Sequence, residues 1–306
     1  MRAHIGAHTL QVKTKYNITE PRFLSRLFLY GKEETMDKEK IAIERLKTAA
    51  EMSLATYQKP LIITYSGGKD SEVLLELAKR SGIDFEVNHS HTTADAPPTV
   101  YHIRKVFKEL EAQGIKCTIE YPRMSMWELI VHKCICPTRI IRFCCRELKE
   151  NKCKHRMIAT GVRWDESVKR KKTRGIYEDM HSNTEKKIIL MNDNDDKRRL
   201  FERCQMQAKT IVNPIIDFTT EEIWEFYNNE CKYKNPLYDM GFKRVGCIGC
   251  PMASKSRLME FEAFPKYKEL YIRTFDKMLE HRKEKGLETR LEWKTGQDVF
   301  DWWING

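Results

Sequence analysis

Leu61-Ile62-Ile63-Thr64-Tyr65-Ser66-Gly67-Gly68-Lys69-Asp70-Ser71-Glu72-Val73-Leu74-Leu75-Glu76-Leu77-Ala78 is the stretch that decides the fold. Leu61 to Tyr65 is a short apolar run with β-branched residues and reads as a buried strand. Ser66 to Ser71 reads as a tight turn. Val73, Leu74, Leu77 and Ala78 then recur at helical spacing, and Gly82 stops that helix. Ile83 to Val87 reads as the next strand. Strand, turn, helix and strand in this order imply a parallel sheet joined by right-handed crossovers.

The same alternation extends in both directions. Upstream, a helix is expected from Asp37 to Gln58, with Ile43, Leu46, Ala50 and Leu54 on one face and Pro60 ending it. Downstream, helices are expected from about Pro98 to Gln113, Ser125 to Lys133 and Ile140 to Glu150, with strands at Cys117–Tyr121 and Met157–Val162. Met191 to Asp196 reads as a polar loop. Thr219-Thr220-Glu221-Glu222 carries a capping box for a helix through Trp224 and Tyr227. Tyr267 to Lys285 is amphipathic, and a last short helix holds Val299, Trp302 and Trp303. The expectation is a doubly wound α/β fold with a mainly helical C-terminal region. Residues 1–35 form an N-terminal extension in this reading. Residues 36–205 form the α/β domain around the Ser66–Ser71 turn, and 206–306 the helical C-terminal region.

The chain has 306 residues, of which 41% are hydrophobic and 32% charged, enough for a packed core and against wholesale disorder. No apolar run is long enough to cross a membrane, and the N-terminus lacks the apolar stretch of a secretory signal, so a cytoplasmic protein is expected. The net charge of +11 is either a solvated basic surface or the mark of an anionic partner: nucleotide, tRNA or DNA. Clusters at Lys169–Lys172, at Lys197–Arg199, and around Arg139, Arg142 and Arg146 favour the partner without naming it.

The turn at Ser66–Ser71 has the chemistry of a phosphate cradle. Two glycines after a buried strand let several N–H groups point into one concavity, and a helix beginning there adds its positive dipole end. Lys69 adds a mobile cation, and Ser66 and Ser71 add hydroxyl donors. Asp70 either holds Mg²⁺ or orients Lys69. An ordinary Gly-Gly turn is the plain alternative, and the serines, lysine and aspartate in register argue against it. The spacing is neither that of the Walker motif nor that of the dinucleotide fingerprint.

Ten cysteines in such a chain argue for metal or redox chemistry over disulfides. Cys144-Cys145 and Cys247-Ile248-Gly249-Cys250 together offer four thiolates, which complete either a zinc or an iron–sulfur shell. Adjacent cysteines are unusual for zinc. Cys134 and Cys136 are either an active thiol pair near arginines or packing residues. Cys117, Cys153, Cys204 and Cys231 read as core or surface residues, Trp224 and Tyr227 as core, and Trp302 and Trp303 as packing.

Ser66-Gly67-Gly68-Lys69-Asp70-Ser71 resembles the pyrophosphate-binding loop of the ATP pyrophosphatases (the adenine nucleotide alpha hydrolase-like superfamily). That group includes the phosphoadenosine phosphosulfate (PAPS) reductase family, tRNA thiolation enzymes and DNA phosphorothioation enzymes. The resemblance implies that the loop holds the β- and γ-phosphates of ATP, with Mg²⁺, while an acceptor attacks the α-phosphate. Lys69 favours a triphosphate, since many sulfonucleotide reductases lack it. His91-Thr92-Thr93-Ala94-Asp95-Ala96-Pro97 resembles the family's nucleotide-flanking segment, which implies roles for Thr93 and Asp95; a helix-entry loop capped by Asp95 is the plain alternative. Gly161-Val162-Arg163-Trp164-Asp165-Glu166-Ser167-Val168-Lys169-Arg170 also matches, which implies phosphate contacts from Arg163 and Arg170; a surface charge run is its alternative. The cysteine arrangement is similar to that of adenylyl-sulfate reductases, which implies a 4Fe-4S cluster on Cys144, Cys145, Cys247 and Cys250. Pro137-Thr138-Arg139, Phe143 to Lys149 and Asn235-Pro236-Leu237-Tyr238 share the context, and the likeness runs over roughly residues 40–257.

One departure bears on function. Sulfonucleotide reductases act through a cysteine near their C-terminus, and here the last cysteine is Cys250. With Lys69 and the basic charge, this favours adenylylation of a nucleic acid, DNA or tRNA, for sulfur insertion, with a cysteine desulfurase as sulfur donor. Lys69, Asp70 and Arg163 are then the expected catalytic residues. The alternative is a reductase of adenylyl sulfate or PAPS using thioredoxin, and a third reading is a non-catalytic nucleotide sensor.

Overall fold

A computed structural model describes the backbone of residues 21–180, 187–190, 209–253 and 256–305, and the side chains of 38–178, 209–253 and 256–305. Seven strands form one sheet in the order β3-β2-β1-β4-β7-β5-β6. They are β1 (Leu61–Thr64), β2 (Phe85–Ser90), β3 (Cys117–Glu120), β4 (Met157–Ala159), β5 (Tyr177–Met180), β6 (Lys187–Leu190) and β7 (Lys209–Val212). The run from β3 to β7 is parallel, with Ile62 opposite Glu86 and Ile158, and Ile158 opposite Ile211. Beyond β7 the sheet turns antiparallel, since β5 pairs with both β7 and β6 in that sense.

Three features depart from the expected architecture. The doubly wound sheet carries an antiparallel hairpin at one edge. β7 lies past residue 205 yet sits between β4 and β5, so the sheet reaches further along the chain than the expected boundary. The first helix, α1 (Pro21–Tyr57), begins well before Asp37. The expected loop at Met191–Asp196 lies outside the described residues, as do Lys197–Arg199 and Cys204.

Helices α2 (Lys69–Ser81) and α3 (Pro97–Glu111) follow β1 and β2. α4 (Met126–Lys133) opens with a capping box between Ser125 and Glu128. α5 (Phe143–Cys145) runs on through a widened turn in which the Asn151 N–H donates to the Arg146 carbonyl at 3.1 Å. Then come α6 (Val168–Thr173) and α7 (Thr220–Glu230), the latter opened by the expected box of Thr219 and Glu222. The C-terminal helices are α8 (Pro236–Asp239), α9 (Ser256–Ala263), α10 (Pro265–Glu284) and α11 (Gly296–Asn305).

Two cores result. One packs Leu46, Leu61, Ile63, Leu74, Leu77, Val106 and Ile223 around the sheet. The other joins α4, α10 and α11 through Leu129, Ile130, Tyr271, Phe275, Val299 and Trp303. Trp303 is buried and Trp302 partly so, as expected of packing residues. Cys231 lies in the first core, with Cys117 and Cys153 half-buried. No helix among the described residues is long and apolar enough to cross a membrane.

The order β3-β2-β1-β4 sends the chain outward from β1 and then back across it. The point of reversal lies between the carboxyl ends of β1 and β4, where open α/β sheets leave a crevice.

Candidate nucleotide site and cysteine centre

The turn after β1 stands at that crevice. Gly67 has φ +73°, a left-handed conformation that favours glycine, and a Cβ there would meet Ile103 at 3.1 Å. Gly68 precedes α2 with no side-chain cap, so the helix presents backbone N–H groups and its positive end to the crevice. The Ser71 hydroxyl donates to the Gly68 carbonyl at 2.8 Å and accepts from the Ser66 N–H at 3.2 Å, closing the turn on itself. Beneath it, buried Glu72 accepts from Tyr65 and contacts His102 Nε2 at 2.8 Å; burial pushes its carboxyl above the ordinary range.

The turn after β4 meets the first. A Cβ on Gly161 would lie 3.1 Å from the Asp70 backbone, so glycine permits the close approach. Arg163 is 2% exposed, and its Nε donates to Asp70 Oδ1 at 2.7 Å. The other oxygen, Oδ2, accepts from Lys69 Nζ at 2.8 Å. Arg163 Nη1 also donates to the Phe218 carbonyl at 3.2 Å. Of the two roles open to Asp70, orientation of Lys69 is the one this geometry supports.

Lys69, Arg163, Asp165, Glu166, Thr220, Trp224 and Lys243 line an open cleft of about 660 Å³. Trp224 is half-buried, with its ring centroid 5.4 Å from Lys69 Nζ. It is therefore a wall of the cleft as well as a packing residue, whereas Tyr227 is buried as expected.

Ser66, Gly67, Gly68, Lys69, Asp70, Ser71, Gly161 and Arg163 are thus brought together, and three other expected nucleotide residues are not. Arg170 pairs with Glu166, whose Oε1 also accepts from the Arg163 N–H at 3.0 Å, so Arg170 meets the site only through that carboxylate. The Thr93 hydroxyl accepts from the Met126 N–H at 2.8 Å, capping α4. Asp95 is buried and bridges Cys247 through the backbone, while the Ile248 N–H donates to the Ala94 carbonyl at 2.7 Å. Asp95 therefore lies beside the cysteine segment, and Thr93 against the start of α4. The geometry places their loop between the two sites.

Asn235 and Tyr238, which the sequence marks only by their place before the second cysteine pair, buttress the turn. Asn235 is fully buried and donates through Nδ2 to the Gly67 carbonyl at 2.7 Å. The Tyr238 hydroxyl accepts from the Lys69 N–H at 2.8 Å.

The four cysteines converge across the second core. Cys144 and Cys145 share a hydrogen bond that raises the first thiol and lowers the second, and Arg142 Nη2 donates to Cys145 Sγ at 3.4 Å, favouring its thiolate. Burial raises Cys247, opposed by the Lys149 ammonium; its thiol donates to Thr92 Oγ1 at 3.3 Å. Gly249 has φ +72°, and a Cβ there would lie 2.6 Å from Phe261, so the Cys-x-x-Cys turn is pressed against aromatic packing. Among the described residues, the ligand trio whose atoms all fall within 4.8 Å of one another is His89, His91 and Asp95, with no trio of these cysteines so close. Tetrahedral zinc holds its sulfurs about 3.8 Å apart. Four thiols carried by two chain segments are a donor set that either a zinc ion or an iron–sulfur cluster takes.

Cys136 is fully buried and burial pushes its thiol up to about 12, which is the setting of a packing residue. Cys134 is also buried and ends α4 at φ 55°.

Comparison with known proteins follows this layout. The model of the phosphoadenosine phosphosulfate reductase domain matches residues 60–253, which include both turns and all four cysteines. An uncharacterised protein of Methanocaldococcus jannaschii is 27% identical over 271 residues, 84% of this chain and 57% of that protein. A second from the same organism is 27% identical over 220 residues, 68% and 40% respectively. The chain thus spans about half the length of the curated relatives it matches. Among solved structures, phosphoadenylyl-sulfate reductase from Candida auris in its phosphate complex aligns at 15% identity and a TM-score of 0.41, covering 70% of this chain and 94% of that one. The U34-tRNA thiolase NcsA from Methanococcus maripaludis, with its 4Fe-4S cluster, aligns at 13% identity and a TM-score of 0.33, covering 85% and 84%. By the match over residues 60–253, the chain belongs to the phosphoadenosine phosphosulfate reductase domain family.

Proposed function

We propose that this protein is an ATP pyrophosphatase-type enzyme that adenylylates a nucleic-acid acceptor, DNA or tRNA, to activate it for sulfur insertion. The observation that carries the reading is Lys69, a cation at the mouth of a phosphate-cradling turn, held by Asp70 and facing a cleft that also contains Arg163 and Lys243. A triphosphate needs such a cation, because charge builds on the β- and γ-phosphates as pyrophosphate leaves. An acceptor oxygen forms the bond to the α-phosphorus, the bond to the bridging oxygen breaks, and pyrophosphate departs with Mg²⁺. The N–H groups at the start of α2 and Lys69 hold the leaving group, and Arg163 fixes Asp70 and through it Lys69.

Cys144, Cys145, Cys247 and Cys250 are the ligands for a 4Fe-4S cluster in this reading, and a bound cluster would supply thiolate-held iron able to bind sulfur. A cysteine desulfurase is the expected donor class. The exposed Arg139, Arg142 and Arg146 beside Cys144 and Cys145, and Lys169, Lys171 and Lys172 beyond Arg163, are suited to an acceptor's phosphates.

The test is pyrophosphate release from Mg-ATP by anaerobically purified protein, with duplex DNA, with tRNA and with neither. A parallel reaction holds adenylyl sulfate and thioredoxin without ATP. Release that depends on one nucleic acid supports the reading and names the acceptor. Sulfite from the parallel reaction, with no turnover of ATP, would replace it with the reductase reading.

A further inference from the structure

His89 lies near the carboxyl end of β2, and His91 and Asp95 lie on the loop that leads to α3. His89 is 5% exposed. Its Nδ1 is 2.9 Å from the Tyr65 carbonyl oxygen, which can only accept, so Nδ1 carries the proton and the lone pair of the neutral ring sits on Nε2. That Nε2 is buried without a hydrogen-bond partner. Buried polar atoms are nearly always paired, and an orphaned imidazole lone pair is a ligand awaiting an acceptor.

The acceptor has other donors beside it. One ligand atom from each of His89, His91 and Asp95 falls within 4.8 Å of the other two. His91 Nδ1 stands 3.3 Å from Asp95 Oδ2, close to the about 3.4 Å edge between two ligands each about 2.1 Å from a tetrahedral ion. Both ends are already oriented from behind. The Tyr65 carbonyl fixes the His89 tautomer, and the Thr92 N–H donates to Asp95 Oδ2 at 2.7 Å. The His91 ring is braced edge-on by Tyr121 at 5.1 Å between centroids.

We propose that His89, His91 and Asp95 form a second metal site, free of cysteine, for a divalent first-row transition ion. Two imidazoles and one carboxylate suit zinc or ferrous iron and leave one or more positions open to water or an exogenous ligand. The site is separate from the four thiolates but tied to them, since Asp95 bridges Cys247 through the backbone. Lys149 is the cation that now faces Asp95, and a bound metal ion would share that carboxylate with it. The inference is independent of the nucleotide chemistry.

Cobalt(II) titration of the full chain tests it, followed by absorption spectroscopy. A Cys144→Ser background keeps the thiolate set incomplete. In that background one equivalent of cobalt should bind with ligand-field bands and no thiolate charge-transfer band. His91→Ala, partly exposed and expected to fold, should weaken uptake at least tenfold, with an unchanged far-UV spectrum and metal-free melting temperature. If His91→Ala does not fold, Asp95→Asn takes its place in the same comparison. Zinc should raise the melting temperature of the background protein and not of the ligand variant. No cobalt uptake, uptake that the ligand variant leaves unaltered, or uptake only with a thiolate band would each overturn the proposal.

Discussion

Arg163 and Lys69 grip opposite oxygens of one carboxylate: Arg163 Nε lies 2.7 Å from Asp70 Oδ1, and Lys69 Nζ lies 2.8 Å from Asp70 Oδ2. The arginine is almost fully buried and the lysine opens onto the cleft. Asp70 therefore ties the mobile cation to a fixed one, across the point of reversal between the carboxyl ends of β1 and β4.

Replacing Arg163 by lysine keeps the charge and loses the planar fork that reaches Asp70 and the Phe218 carbonyl together. Arg163→Lys should cost about 1.5–3 kcal/mol in urea unfolding, the range for lost hydrogen bonds to a charged group. It should also lower the rate of pyrophosphate release more than it raises KM for ATP. Unchanged stability would mean that the Asp70 contact is not held in solution.

Lys69→Ala leaves the turn and its glycines intact and removes the cation. ATP turnover should fall about 100-fold or more, as for loss of one charge-stabilising donor. The iron content and brown colour of anaerobically purified protein should stay at the wild-type level, because the cysteines lie in the other core. Wild-type turnover would remove Lys69 from the phosphate site.

The parts of this layout legible in sequence are the local ones. The β1 strand, the Gly-Gly turn and α2 are contiguous, and the capping boxes at Ser125 and Thr219 span four residues each. What stayed hidden depends on distant partners. Arg163 reads as a phosphate ligand, and its pairing with Asp70, 93 positions away, is visible only in the fold. β7 begins with a lysine and has only four residues, so nothing local marks it as a central strand. Its burial comes from β4 and β5, and Lys209 is satisfied by the carbonyl of Glu150 at 2.9 Å. Asp95 reads as a nucleotide residue from the resemblance of its segment, and its backbone pairing with Cys247, 152 positions away, is visible only in the fold.

The buttress of the turn is testable from its far side. Asn235→Ala leaves the Gly67 carbonyl and the Thr99 hydroxyl without their buried donor, at a cost of about 1–3 kcal/mol. Tyr238→Phe removes only the hydroxyl that accepts from the Lys69 N–H and should cost about 1 kcal/mol. Both should raise KM for ATP without changing bound iron. An effect of Tyr238→Phe on iron content alone would show that it serves the other centre.

Burial holds the Cys136 thiol near 12, well above the ordinary range, because the charged thiolate is disfavoured in the apolar core. At pH 8 it stays protonated, and iodoacetamide should fail to label it in native protein while labelling it after unfolding. Cys136→Ala should keep pyrophosphate release and lose about 1 kcal/mol of stability from the small cavity. Rapid native labelling would reopen a sulfur-handling role.

Gly249 joins the backbone demand of the Cys-x-x-Cys turn to the packing of the second core. Its φ of +72° costs a side chain about 1–2 kcal/mol. An added Cβ would lie 2.6 Å from Phe261, 3.0 Å from Tyr271 and 3.1 Å from Trp303, and these rings pack on one another. Overpacking such a cluster adds about 1–3 kcal/mol. The Gly249 N–H also donates to buried Glu260 at 2.7 Å, so the turn cannot swing away without orphaning that carboxylate. Gly249→Ala should therefore lower the melting temperature and displace Cys247 and Cys250 relative to Cys144 and Cys145. Iron per chain should drop below the wild-type value, while ATP binding at the turn after β1 persists. Full iron loading in a Gly249→Ala protein of lowered stability would separate the aromatic core from the cysteine centre and show that the thiolates tolerate a shifted turn.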